Sequence, residues 1–185
     1  MTKPRLFLVA PETGDILPCA KAACAAGDCA VIVVAENTPR ETVAALQALN
    51  LSVQLKDAEL RKVHHTNADG LMLTTTEALA EARTLLKNES LGVLANVSRH
   101  IAMDAAEAGA DFVAFTQSKQ FTGEPIIGWW HELTDVPVIA YDPVEPKDLA
   151  ALLPQKPDFI RPSDAMWQSV DDTTRIVSEL SGAMA

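Results

Sequence analysis

Four aspartates, Asp28, Asp69, Asp111 and Asp158, recur at intervals of roughly 41 to 47 residues, each just ahead of a run of strand-forming side chains. An acid at the mouth of a buried strand needs a reason, and recurrence makes that reason architectural. The even-numbered runs are CAVIVVA (29–35), DGLML (69–73), DFVAF (111–115) and DFI (158–160). Between them fall the odd ones, RLFLVA (5–10), LSVQL (51–55), LGVLAN (91–96) and VPVIA (136–140). Most are continuously apolar rather than alternating, the pattern of parallel strands covered on both faces.

The intervening stretches read as helices. Residues 38–50 place Thr38 as N-cap, Pro39 at the first helical position and Glu41 at the capping-box position. Residues 74–88 begin on Thr74, 98–109 run from Ser98 to a closing Gly109, and 163–182 start on Ser163 or Asp164. A unit of two β-α pairs thus repeats four times, and eight such units close most naturally into a compact single-domain (β/α)8 TIM barrel spanning 1–185. At 185 residues the helices and loops must be minimal. The alternative is a doubly wound open sheet, which requires two or three of the runs not to be strands.

Composition narrows the partners. The formal net charge is −10, with 15 Lys and Arg against 25 Asp and Glu, which argues against nucleic acid or an anionic membrane. A small phosphorylated ligand needs only a few local donors and stays open. No apolar run approaches the ~20 residues of a membrane helix, and no signal-peptide pattern opens the chain. Cys19, Cys24 and Cys29 contain no C-x-x-C and read as reduced thiols of a cytoplasmic protein.

In a barrel the strand entrances stabilise and the strand exits carry chemistry. The recurrent aspartates lie at entrances, where they are expected to accept bonds from loop amides. The exits hold Glu12, then Glu36 and Asn37, Lys56 and Asp57, Thr74 to Glu77, Asn96 to His100, the loop TQSKQFTG (116–123), Tyr141 and Asp142, and Arg161 and Ser163. Polar side chains converging on one rim suit a small-molecule site, although Thr74, Ser98 and Ser163 are equally placed to cap helices. His64-His65 reads as a solvated pair rather than a metal site. Of Trp129 and Trp130, one should enter the core and the other cover a neighbour or partner; IIGWW (126–130) is a candidate homodimer surface.

ADGLMLTTTEAL, EAGADFVAF and EPIIGWWHELTDVPVIA resemble the thiamine phosphate synthase family, which includes the related thiazole tautomerases. The resemblance runs through nearly the whole chain, best from about 68 to 140. It implies a (β/α)8 barrel that joins an aminopyrimidine diphosphate to a thiazole phosphate, releasing pyrophosphate with the help of Mg²⁺. On that resemblance Asp57 and Glu77 fall at metal-ligand positions. Lys56, Asn96, Ser118, Lys119 and Thr122 are implied as substrate-binding, with Arg161 and Ser163 as substitute phosphate contacts. The chain departs from the pattern elsewhere. Lys56 replaces an amide, Met72 a histidine and Thr74-Thr75 a Gly-Gln pair. The basic cluster after the second strand is missing, and AYDPVEP stands where a Gly-Gly pair would bind phosphate. Pro143 removes a backbone donor there and Asp142 adds negative charge. Two readings follow: an enzyme of thiamine biosynthesis, or a divergent barrel without synthase activity that binds another small ligand.

Overall fold

The computed structural model describes residues 3–116 and 125–184. The first half runs β1 (Arg5–Val9), α1 (Leu17–Ala26), β2 (Cys29–Val34), α2 (Arg40–Gln47), β3 (Ser52–Lys56), α3 (Leu60–Thr66), β4 (Gly70–Leu73) and α4 (Leu79–Leu85). The second half runs β5 (Ser90–Asn96), α5 (Arg99–Glu107), β6 (Phe112–Phe115), α6 (Ile126–Leu133), β7 (Val138–Val144), α7 (Leu149–Leu152), β8 (Phe159–Pro162) and α8 (Val170–Ala183). Each strand pairs in parallel with its sequence neighbours. Closure comes from β8 returning to β1, with Arg5 opposite Phe159 and Leu6 opposite Ile160. That pairing removes the open-sheet alternative. Economy shows in the helices: α3 and α4 have seven residues each, and α7 has four, flanked by 3-10 turns.

The continuous apolar strands are explained by two cores. Outward side chains such as Leu6, Leu8, Ile32 and Leu55 meet the helices, while Phe7, Val33, Met72, Phe112, Ala114, Ile139 and Tyr141 fill the barrel. Phe7 is fully buried and meets Phe112, Phe159 and Tyr141 edge-on, with ring centroids 5.9, 6.3 and 6.4 Å away. Burying a side chain of this size contributes about 1.5–3 kcal/mol. Phe112 also dictates a glycine across the β5–β6 pair. A Cβ at Gly92 would lie 1.9 Å from its ring.

The recurrent aspartates sit one residue before β2, β4, β6 and β8. Asp69, Asp111 and Asp158 share one geometry. Each main-chain N–H donates to the carbonyl of Val53, Leu91 or Val138 at 2.8–3.0 Å. Each carboxylate then accepts the N–H of that same residue, at 2.8, 2.7 and 2.8 Å. The bonds come from the preceding strand or its first residues, not from loop amides as the sequence led us to expect. An odd strand begins before its even neighbour is in register, so its first amides lack a ladder partner, and the carboxylate supplies one. A buried amide left unpaired would cost about 1–3 kcal/mol. Asp28 differs: the β1–β2 register shifts between Leu6 and Phe7, Leu6 N–H goes to the Asp28 carbonyl, and the carboxylate takes the Arg5 guanidinium.

Several expected caps move. Ser98 does cap α5, accepting from Ile101 N–H, and Gly109 follows that helix at φ +92°, where a side chain would be strained. Thr38 does not cap α2; the helix begins one residue later, with extended Pro39 in the cap position and no side-chain bond. α4 starts at Leu79 without a side-chain cap, and α8 starts at Val170 under Ser169, which accepts from Asp172 N–H at 3.0 Å. Trp130 is fully buried and donates to Val136 O at 2.9 Å, while the Arg99 guanidinium lies 4.4 Å over the Trp129 ring. His64 faces Glu89 at 3.3 Å on the surface. Cys19 and Cys29 are buried, Cys24 is half-buried, and all three are free thiols. No helix among the described residues is long and apolar enough to cross a membrane.

Candidate functional site

The strand exits form one rim, and two of its corners are organised by side chains. At the first, β3 ends on Lys56, whose Nζ lies 3.6 Å from Glu12 Oε1. Asp57 follows at φ +46°, a left-handed turn that Asp tolerates better than most residues. The turn aims its carboxylate at β4's exit. Thr74 donates its main-chain N–H to Asp57 Oδ1 at 2.7 Å and its hydroxyl to Oδ2 at 2.8 Å. Thr74 is therefore not a helix cap but the group that fixes Asp57. Lys56 and Asp57 border a cavity of about 440 Å³ with Glu12, Thr13, Ala35, Glu36 and Asn37. Glu36 is paired with Lys62.

At the second corner Arg161 points inward from β8. Its guanidinium lies 4.9 Å from the centre of the Tyr141 ring and donates to Tyr141 O at 3.2 Å. Asp164 holds the other side, accepting from Nη2 at 2.7 and 2.8 Å. The arginine side chain is only 15% exposed, and its buried Nε has no hydrogen-bond partner among the described residues. A desolvated guanidinium with a spare donor is a ready contact for an acceptor oxygen. Tyr141 is the chain's single tyrosine and is buried beneath this cation. Burial pushes its phenol above the ordinary value; Arg161 pulls it down, and Asp164 and Asp57 push it up. Sequence reasoning placed Tyr141 on the rim without assigning it a role. Its signal is parity: Ile139 and Tyr141 share the inward face of β7.

The other expected residues are spread. Asn96 ends β5 at φ +52°, exposed, and its carbonyl accepts Thr116 N–H at 3.0 Å, tying the β5 and β6 exits together. Ser163 caps the 3-10 turn Asp164–Gln168, accepting from Ala165 N–H at 3.4 Å. It borders a separate cavity of about 270 Å³ between Glu145 and α8. Ser118, Lys119 and Thr122 lie outside the described residues. The β7 exit also moves: β7 continues through Asp142 and Pro143 to Val144, opposite Pro162, four residues past the expected end at Ala140.

For a metal, the fixed group is Asp57. Each of its oxygens accepts from Thr74, which leaves a lone pair on each free to face a cation. Glu77 is exposed ahead of α4, and among the described residues no group of three or more His, Cys, Asp or Glu side chains could hold an ion. Asp57 could thus supply one oxygen ligand to a hard cation, whose other ligands would have to come from a bound ligand or water.

No family model matches the chain. Individual proteins do. It is 28% identical to the thiamine-phosphate synthase of Rhodospirillum centenum, across 100% of this chain and 99% of that protein. It is 35% identical to that of Erythrobacter litoralis over 112 residues, 54% of this chain and 53% of that protein. In structure it resembles thiamine phosphate pyrophosphorylase from Pyrococcus furiosus, with a TM-score of 0.82 at 18% identity over 98% of this chain and 96% of that one. In sequence the chain is thus similar end to end to thiamine-phosphate synthases, and in structure it shares their closed barrel with a polar exit rim.

Proposed function

We propose that the protein is a thiamine-phosphate synthase-type transferase, joining an aminopyrimidine diphosphate to a thiazole phosphate with loss of pyrophosphate. The observation that carries the reading is the match of the entire chain to a synthase along 99% of that protein's length. The rim supports it chemically. Arg161, stacked and largely desolvated, would orient an anionic group, and Lys56 would contribute a second positive charge on the opposite side of the mouth. Asp57, fixed by Thr74, would hold Mg²⁺ with Glu77 as a second ligand. Bound there, the ion would offset diphosphate charge as the leaving group departs. Asn96 and Ser163, with Ser118, Lys119 and Thr122, complete the proposed substrate contacts. In this reading the protein is cytoplasmic; Ile126, Ile127 and Trp130 are buried in the barrel's own core, so of the stretch 126–130 only Gly128 and Trp129 are partly open to a partner copy.

A second reading rests on the acids of the first corner. Among the described residues, Glu12, Glu36 and Asp57 border that cavity with Lys56, and Lys62 pairs with Glu36 from outside the lining, which leaves one carboxylate in excess. This balance favours a neutral or cationic group there over a bare diphosphate, and suits a barrel that has changed its ligand. One pair of measurements separates the readings. The first predicts product in a direct synthase assay, and thermal stabilisation by Mg²⁺ with pyrophosphate. A ligand at about 100-fold its Kd adds about 2.7 kcal/mol. Asp57→Asn, which keeps the left-handed turn, should abolish the Mg²⁺-dependent part of that gain and leave the unliganded stability within about 0.5 kcal/mol. No product and no stabilisation would exclude the synthase reading.

A further inference from the structure

One sizeable cavity bordered by described residues is not on the exit rim. It has a volume of about 670 Å³ and opens at the opposite end, between the entrances of β1, β7 and β8. Its walls are mainly apolar. Phe159, whose ring stands edge-on to Phe7, joins Leu153 and Met184, and three prolines, Pro4, Pro137 and Pro157, complete the lining. Proline has no N–H, so these walls offer few amide donors and any polar recognition must come from side chains.

Those side chains are basic in a chain that is strongly acidic. Lys3, Arg5, His131 and Lys156 border the cavity, and Asp158 is the one carboxylate among the described residues that line it. Asp158 Oδ2 is already held by Val138 N–H at 2.8 Å. Arg5 is neutralised by Asp28, and Lys3 donates to Ser181 O at 3.1 Å. Lys156 has no side-chain partner among the described residues, although its backbone adopts φ +57°, a conformation more readily taken by Gly or Asn. The opening thus presents an uncommitted ammonium and an imidazole over an aromatic and aliphatic floor. Positive potential gathered at a concave apolar surface selects anions with an apolar body.

We propose that this entrance-end cavity is a second ligand site, separate from the exit rim, for a small organic anion carrying an aromatic or branched apolar group. The apolar body rests on Phe159, Leu153 and Met184, and the anionic group meets Lys156. The test uses the anionic fluorophore 1-anilinonaphthalene-8-sulfonate with the folded protein, and its uncharged counterpart N-phenyl-1-naphthylamine. The anionic probe should bind one to one, more tightly than the uncharged one and less tightly as salt is added.

Lys156→Gly removes the charge and suits the left-handed backbone, so its thermal midpoint should hold or rise while probe affinity falls about threefold; Lys156→Glu should lower affinity about tenfold. Arg161→Gln, at the other end of the barrel, should leave the titration unchanged. The proposal is overturned if the anionic probe does not bind, if the uncharged probe binds equally well, if the Lys156 variants leave affinity intact, or if Arg161→Gln removes it.

Discussion

The two ends of this barrel are built on opposite plans. At the entrances one device is repeated: an aspartate before an even strand exchanges two hydrogen bonds with a single residue of the strand before it, at Asp69, Asp111 and Asp158. At the exits no two corners match. Asp57 is fixed by a threonine across two strands, Arg161 by an aromatic face and a neighbouring acid, and Asn96 by a main-chain bond. The contrast follows from what each end must do. The β3–β4, β5–β6 and β7–β8 pairs pose the same geometric problem where they start, an early amide without a partner, so one solution serves three times. A ligand with chemically distinct parts poses a different problem at each exit.

The sharpest way to break the contrast is Asp111→Ala. It strands the Leu91 amide and removes the Arg83 partner, so unfolding in urea should show a loss of about 2–3 kcal/mol, with ligand affinity per folded molecule unchanged. Asp69→Ala and Asp158→Ala should fall in the same range. If any of the three lowered affinity without lowering stability, entrance and exit would not be separable. Asp28→Ala sharpens the comparison from within the repeat. Its partner is a half-exposed arginine side chain rather than a strand amide, so the same urea experiment should read at most about 1 kcal/mol. Equal losses at Asp28 and Asp111 would mean that the reciprocal backbone pairing is not the stabilising element.

The smallest effect belongs to the exit end and is read by pH. As the chain has one tyrosine, tyrosinate absorbance reports Tyr141 alone. It should ionise above the ordinary value of about 10, chiefly because burial disfavours the charged phenolate. Its contribution to stability is complete below that ordinary value and is lost as pH climbs through the raised one, since the unfolded chain gives up the proton first. Arg161→Gln removes the neighbouring positive charge that lowers the value, so the titration should move further up. A downward move would contradict the stacked geometry.

The entrance end was open to sequence reading because periodicity is a one-dimensional signal. The positions of the aspartates, the existence of eight strands and the closing Gly109 survive, since each depends on local preference or regular spacing, whereas the partners of the aspartates and the end of β7 do not. Individual caps fared worse where a side chain had a distant choice. Thr74 looked like a helix cap, but its better acceptor was Asp57, 17 residues away, brought near only by the β3–β4 pairing. Ser163 kept a capping role, on a 3-10 turn rather than on α8, because Ser169 stood closer to the helix start.

The sequence by itself determined the fold class, the strand order and the division between a stabilising and a polar end, because hydrophobic pattern and repeat length are properties of the chain. Only the tertiary structure decided which rim residues meet. Lys56 faces Glu12, and Arg161 lies over Tyr141, through strand register and barrel closure, which join residues far apart in sequence. It alone also exposed the basic, apolar-floored cavity at the entrances, whose lining comes from stretches of the chain as far apart as Lys3 and Met184. Spacing along a sequence carries no trace of such a cavity, because its shape exists only once the first and last strands have paired.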